Sequence, residues 1–200
     1  MTIPSCIVTV QLRVINTDYL LSGATTAMLK ELAERYTNGS DVTDTLPELT
    51  GDILLRWIEH EYAAILSRGL QVELTEKSTG GYKDSSELFD DIVLNNHVYV
   101  FSLYNEHPLW DEQTNQKFRA VHDYRHHFES GKSSLGFSLY GEFEAYQKAK
   151  DDLFTYLWEH ESVPTLEIFP TLDKILFSEI VLQAAVRHYT GEFAAQKIVF

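Results

Sequence analysis

The hydrophobic and polar positions of this 200-residue chain predict short strands set among longer helices. Cys6 to Ile15 alternates, with Val8, Val10, Leu12 and Val14 opposite Ile7, Thr9, Gln11 and Arg13, as a strand does. A helix is expected from Ser22 or Thr25 to Tyr36, with Met28, Leu29, Leu32 and Tyr36 inward and Asn38-Gly39 as its stop. Asp52 is placed to cap a second helix. Its apolar positions Ile53, Leu54, Trp57, Ile58, Ala64 and Ile65 run toward Gly69, and Glu59, His60 and Glu61 read as its solvated face. Leu70 to Leu74 alternates as a strand, and Ser78 to Gly81 reads as a flexible loop. Asp84 or Ser85 then caps a helix carrying Leu88, Phe89, Ile92 and Val93, closed by Asn95-Asn96. Val98 to Leu103 is a run of β-formers and predicts a buried strand.

In the second half, Asn105 to Trp110 is a polar-aromatic loop. Phe118, Val121 and Phe128 then recur at helical spacing. A loop from Glu129 to Gly136 leads to a long helix, from Phe137 or Gly141 to about Glu161, with Phe143, Tyr146, Leu153, Phe154, Leu157 and Trp158 as its apolar positions. Pro164 and Pro170 bracket a short extended or turn segment. Thr171 caps a last helix through His188, Gly191 ends it, and the tail Phe193 to Phe200 is apolar enough to pack back. The sum is an α+β chain, predominantly α-helical, a single domain over residues 1–200 with about three short strands. Strand order is not readable from the pattern.

Composition narrows the function classes. With 44% hydrophobic residues, 12% aromatics and only 5 prolines, the chain can bury a real core. Its net charge of −14 argues against a nucleic-acid surface, because phosphate affinity needs Lys and Arg. The single cysteine, Cys6, excludes an intrachain disulfide and a Cys-rich zinc site. No apolar run approaches the roughly 20 residues of a membrane span, and the start of the chain lacks a basic signal-peptide region. The expectation is a cytoplasmic protein with no membrane and no nucleic-acid partner, acting on a small molecule if it is an enzyme. The oligomeric state is not written in these features.

The chemistry concentrates between Phe118 and Phe128. His122 and His126 stand four apart, so on a regular helix they point the same way and can close on one metal ion. Two carboxylates from later helices can complete the set. Glu142 follows Gly141, and Glu179 lies among Phe177, Ile180 and Val181, where a buried carboxylate needs a partner or a cation. Gln183, four residues on, shares the face of Glu179. The site expected is therefore His122, His126, Glu142 and Glu179 around a zinc, iron or manganese ion. Asp123, Glu144 or an unligated Glu is the candidate general base. Tyr124, His127 and His107 flank the site, and Arg119 and Arg125 are natural contacts for an anionic substrate.

Several of these residues also resemble a known pattern. Tyr82-Lys83-Asp84-Ser85-Ser86-Glu87-Leu88, His107-Pro108-Leu109, Asn115, Phe118-Arg119-Ala120-Val121-His122-Asp123 with His126, Gly136-Phe137, Gly141-Glu142, Glu179 with Gln183, and Phe193 with Gln196-Lys197 occur in order. Together they resemble an uncharacterised protein family of bacteria and bacteriophages, over about residues 70–197. That family usually carries glycine before the second histidine, where this chain has Arg125, and His127 is additional. The resemblance implies site positions and no particular reaction.

The functional expectation is a metal-dependent hydrolase with a mononuclear His/His/Glu site, in which the ion activates water. A non-haem iron oxidoreductase is the enzymatic alternative. A bridged di-iron centre is less apt, since the chain lacks the paired Glu-x-x-His helices. Adjacent His122-Asp123 is also similar to the histidine-aspartate phosphohydrolases, with His107 and Asp151 or Asp152 as further positions, but that leaves both glutamates unexplained. A non-catalytic acidic interaction protein is the alternative of another class; the dispersed acids look more like a solvated surface.

Overall fold

The computed structural model describes residues 24–131, 136–161 and 165–200. The strand expected over Cys6 to Ile15 lies outside the described residues. Among the described residues seven α-helices and two strands follow one another: α1 (Ala24–Asn38), α2 (Leu49–Ser67), β1 (Gln71–Thr75), α3 (Ser85–Asn95), β2 (His97–Phe101), α4 (Glu112–Val121), α5 (Leu139–His160), α6 (Thr165–Leu176) and α7 (Gln183–Thr190). Two π-helical segments interrupt this order. His122–Phe128 continues α4, and Phe177–Leu182 joins α6 to α7. The architecture is predominantly helical with a small two-stranded sheet, and no described helix is long and apolar enough to cross a membrane.

The strands pair in parallel, from Gln71 opposite His97 to Thr75 opposite Phe101. Parallel neighbours need a crossover, and α3 supplies it. Its start is fixed by Asp84, whose carboxylate accepts from the Ser86 and Glu87 amides. Its end is fixed by Asn96 in the left-handed region, one of the few side chains that tolerates it. Val98 and Val100 on β2, Leu88 and Ile92 on α3, and Ala120, Val121 and Tyr124 form one core around this unit. A larger core joins α1, α2, α5, α6 and α7 through Tyr36, Ile53, Trp57, Leu153, Leu157, Leu172, Leu176 and Ala185. The tail packs into it with Ile198 and Val199, while the Tyr36 hydroxyl donates to the carbonyls of Ala195 and Lys197.

Some boundaries differ from the sequence pattern for local reasons. Helix α2 begins three residues before Asp52, so Asp52 lies inside its first turn. Glu61 is buried rather than solvated, because Arg125 reaches it with its Nε at 2.9 Å. Ser78–Gly81 forms a 3₁₀ turn. Phe154 and Trp158 lie on the outer face of α5, Trp158 being 72% exposed. The segment around Pro170 is helix, and Thr171 lies within α6 rather than capping it. The carbonyl that a proline at 170 leaves unbonded belongs to Leu166, which is exposed and can be hydrated.

Candidate metal centre and its cavity

The site is organised by a change of helical pitch. Helix α4 is capped by Asp111, which accepts from the Thr114 amide, and runs regularly to Val121. From His122 to Phe128 the backbone widens to a π-helix. Segments of this kind insert an extra residue per turn and recur at functional sites. The widened turn brings residues five apart onto one face, so His122 aligns with His127. Their Nε2 atoms lie 3.0 Å apart. From the facing α5, Glu142 places Oε2 3.2 Å from Nε2 of His122 and 3.3 Å from Nε2 of His127. Ser138 fixes that end of α5, its hydroxyl accepting from the Gly141 amide.

These three donor atoms form a triangle of metal-ligand dimensions. With bonds of about 2.1 Å, ligands at right angles stand about 3.0 Å apart and ligands at the tetrahedral angle about 3.4 Å apart. The observed edges fall within that interval. His122, His127 and Glu142 are the group among the described residues whose donor atoms meet closely enough for one ion. Their electrostatics reinforce one another. Burial alone would raise the carboxyl of Glu142, but the charge of His127 and hydrogen bonds with both imidazoles hold it well below the usual carboxylate range. Burial favours a neutral His127, yet Glu142 outweighs it and raises that imidazole.

Comparison with protein-family models, curated proteins and solved structures finds no match to this chain. The resemblance read from the sequence therefore stands on its quoted residues alone.

The structure places the other sequence candidates in distinct surroundings. His126 is fully buried with its ring stacked on Trp57, at 6.0 Å and 8°. Neither of its ring nitrogens has a hydrogen-bond partner, and burial, followed by repulsion from His122, drives its pKa well below the ordinary value. It is outside the donor triangle. Glu179 lines the same cavity as the triangle but is not one of its corners. Its Oε2 accepts from Gln183 Nε2 at 2.6 Å and lies 3.3 Å from Nε2 of His107, while its Oε1 is buried without a partner. His107 is itself stacked on Trp110 and accepts the Leu109 amide at Nδ1.

Asp123 lines the cavity, and burial raises its carboxyl although His122 and His127 pull the other way. Glu144, turned about 200° from Glu142 around α5, is outside the cavity wall. Tyr124 packs into the core beside Phe128. Arg119 lines the cavity and donates to the carbonyls of Phe101, Leu103 and Tyr104. Arg125 faces elsewhere, bound to Glu61, Glu129 and Asp152. Asp151 is exposed and Asp152 also pairs with Lys148, so the aspartates of the phosphohydrolase pattern stand apart from His122.

The cavity is about 610 Å³, the size of a small-molecule site. Two contributors lie beyond the sequence expectation. The regular-helix rule pairs residues four apart, so it does not select His127 as a donor. Arg187 lies eight residues beyond Glu179 and four beyond Gln183, a spacing that already placed it on the same face.

Proposed function

We propose that the protein is a metal-dependent enzyme, a hydrolase that holds a divalent ion on His122, His127 and Glu142. The observation that carries this reading is the triangle of donor atoms with edges of 3.0, 3.2 and 3.3 Å in the wall of a small-molecule cavity. Two imidazoles and a carboxylate suit zinc, manganese or iron. An ion bound there supplies Lewis acidity and an acidified water. Glu142 is kept ionised by its neighbours and is ready to donate. Glu179 serves as the general base: Gln183 donates to Oε2, which leaves Oε1 to take a proton. Asp123 also lines the cavity, and Arg119 supplies positive charge.

The same triangle favours a second reading. Two histidines and one carboxylate on one face of an ion, with the opposite positions open, is the arrangement of non-haem iron oxygenases. The metal itself separates the two.

The test is elemental analysis of protein purified without a metal-binding tag, for the wild type and His122→Ala/His127→Ala. Full occupancy in the wild type, lost in the variant, is the expected result. Zinc or manganese then supports hydrolysis and iron supports oxidation. Trace metal in both proteins, with a melting temperature unmoved by chelator, sinks the metal reading.

A further inference from the structure

Beside the donor triangle, the lining of the cavity also includes aromatic and cationic side chains. Phe101, Tyr104 and Phe193 line it together, with Phe193 lying 5.7 Å from both other rings at interplanar angles of 28° and 27°. Rings that stack on one another are normally buried. Here Tyr104 is 66% exposed and Phe193 is 45% exposed, so part of the cluster remains open to a ligand. Tyr104 also sits at φ 54°, in the left-handed region that bulky residues avoid. The backbone is held there by its own carbonyl, which accepts from Arg119 Nη2 at 2.7 Å and from Gln196 Nε2 at 3.4 Å. A strained backbone is thus clamped in a position that presents an exposed phenol ring at the cavity wall.

The charge on the same wall is also unusual. Arg119 and Arg187 both line the cavity. Their guanidinium groups donate to backbone carbonyls, of Phe101, Leu103 and Tyr104 for Arg119 and of Gly191 for Arg187. Arg187 also lies over the Phe193 ring, 4.6 Å from its centre. Among the described residues neither arginine forms a salt bridge, although the chain carries 30 acidic residues against 16 basic ones. Carbonyls satisfy the N–H groups without neutralising the charge. Arg119 shares its charge with the nearby Asp123 and Glu179, while Arg187, over the Phe193 ring and without an ion pair among the described residues, matches an anion that carries a planar ring.

We infer that the cavity binds an aryl-bearing anion, with the ring on Tyr104 and Phe193 and the anionic group held by Arg187 and Arg119. This names the substrate class of the proposed metal site and rests on that reading for its role as substrate. Binding itself is tested separately. Phenylphosphonate and methylphosphonate share one anionic group and differ by the ring, so the ratio of their affinities isolates the aromatic subsite from any contact with metal. Calorimetry on the wild type should show phenylphosphonate binding about tenfold more tightly, the worth of one good ring contact.

Tyr104→Gly removes the ring while relieving the positive φ, so the variant folds and its ratio should fall toward one. Arg187→Gln should weaken both ligands by a similar factor and leave the ratio unchanged. A wild-type ratio of one, or a ratio that Tyr104→Gly leaves intact, overturns the subsite. If the protein binds metal stoichiometrically but shows no ring preference, the subsite falls and the metal reading stands. If the ring preference persists in a protein that binds no metal, the subsite stands and the hydrolase reading falls.

Discussion

Two π-helical segments carry the cavity's chemistry, and they use their extra residue differently. His122–Phe128 converts a five-residue spacing into a shared face and joins His122 to His127. Phe177–Leu182 carries Glu179, but the partner that holds it, Gln183, is four residues on, where the chain has returned to regular helix. In the first segment the distortion makes the donor pair. In the second, an ordinary spacing across the exit of the distortion fixes a single carboxylate. The lesson is that a spacing rule holds only for the helical pitch that it assumes.

The comparison divides the two glutamates that both face the cavity. Glu142→Gln is expected to weaken metal binding beyond the ~10–100-fold that loss of an outer partner costs, whereas Glu179→Gln should change it by less than tenfold. Titration of the metal-free proteins with zinc measures both, and equal losses would erase the distinction. Next in size is the frame behind the first segment. Trp57, fully buried between Phe118 and His126, should cost about 3–5 kcal/mol on replacement by alanine, read by denaturant unfolding.

A smaller effect of the opposite sign is expected at His126. Its two nitrogens are buried without partners, so His126→Phe, which keeps the stacking ring, should stabilise the fold by about 1 kcal/mol. A loss of stability would show that His126 has a polar role.

The smallest effect is in the pH dependence of the metal-free protein, where neighbouring histidines act in opposite directions. The folded pKa of His126 is depressed, so its contribution is present above the unfolded value of about 6.5 and is lost as pH falls below it. The folded pKa of His127 is raised, so its contribution is complete below about 6.5 and is lost as pH rises through the folded value. Stability of His126→Phe should therefore fall less on acidification than that of the wild type. In His127→Phe the loss on the alkaline side of 6.5 should shrink. Unfolding curves from pH 5.5 to 8 check both signs.

Much of this fold is written in local pattern. Asp84 and Asn96 mark both ends of α3, β1 and β2 lie where β-formers cluster, and Gly191 ends α7 in the left-handed region. Hydrophobic spacing also led to Glu142 and Glu179, because a glutamate amid apolar neighbours needs a partner. What the pattern does not carry is pitch. Nothing in His122-Asp123-Tyr124-Arg125-His126-His127 distinguishes a regular turn from a widened one, since both place a histidine where the rule looks for it. The choice is made by tertiary packing: Trp57 accepts the ring of His126, and Glu142 on α5 faces His127. Arg125 likewise reads as a substrate contact until Glu61, Glu129 and Asp152 are seen to surround it.

The central claim is that His127, rather than His126, is the partner of His122. Elemental analysis of tag-free His126→Phe and His127→Phe, prepared side by side with the wild type, tests it directly. Full metal occupancy in His126→Phe and its loss in His127→Phe is the predicted result. Metal lost from His126→Phe and kept by His127→Phe would contradict the account and restore the regular four-residue pair.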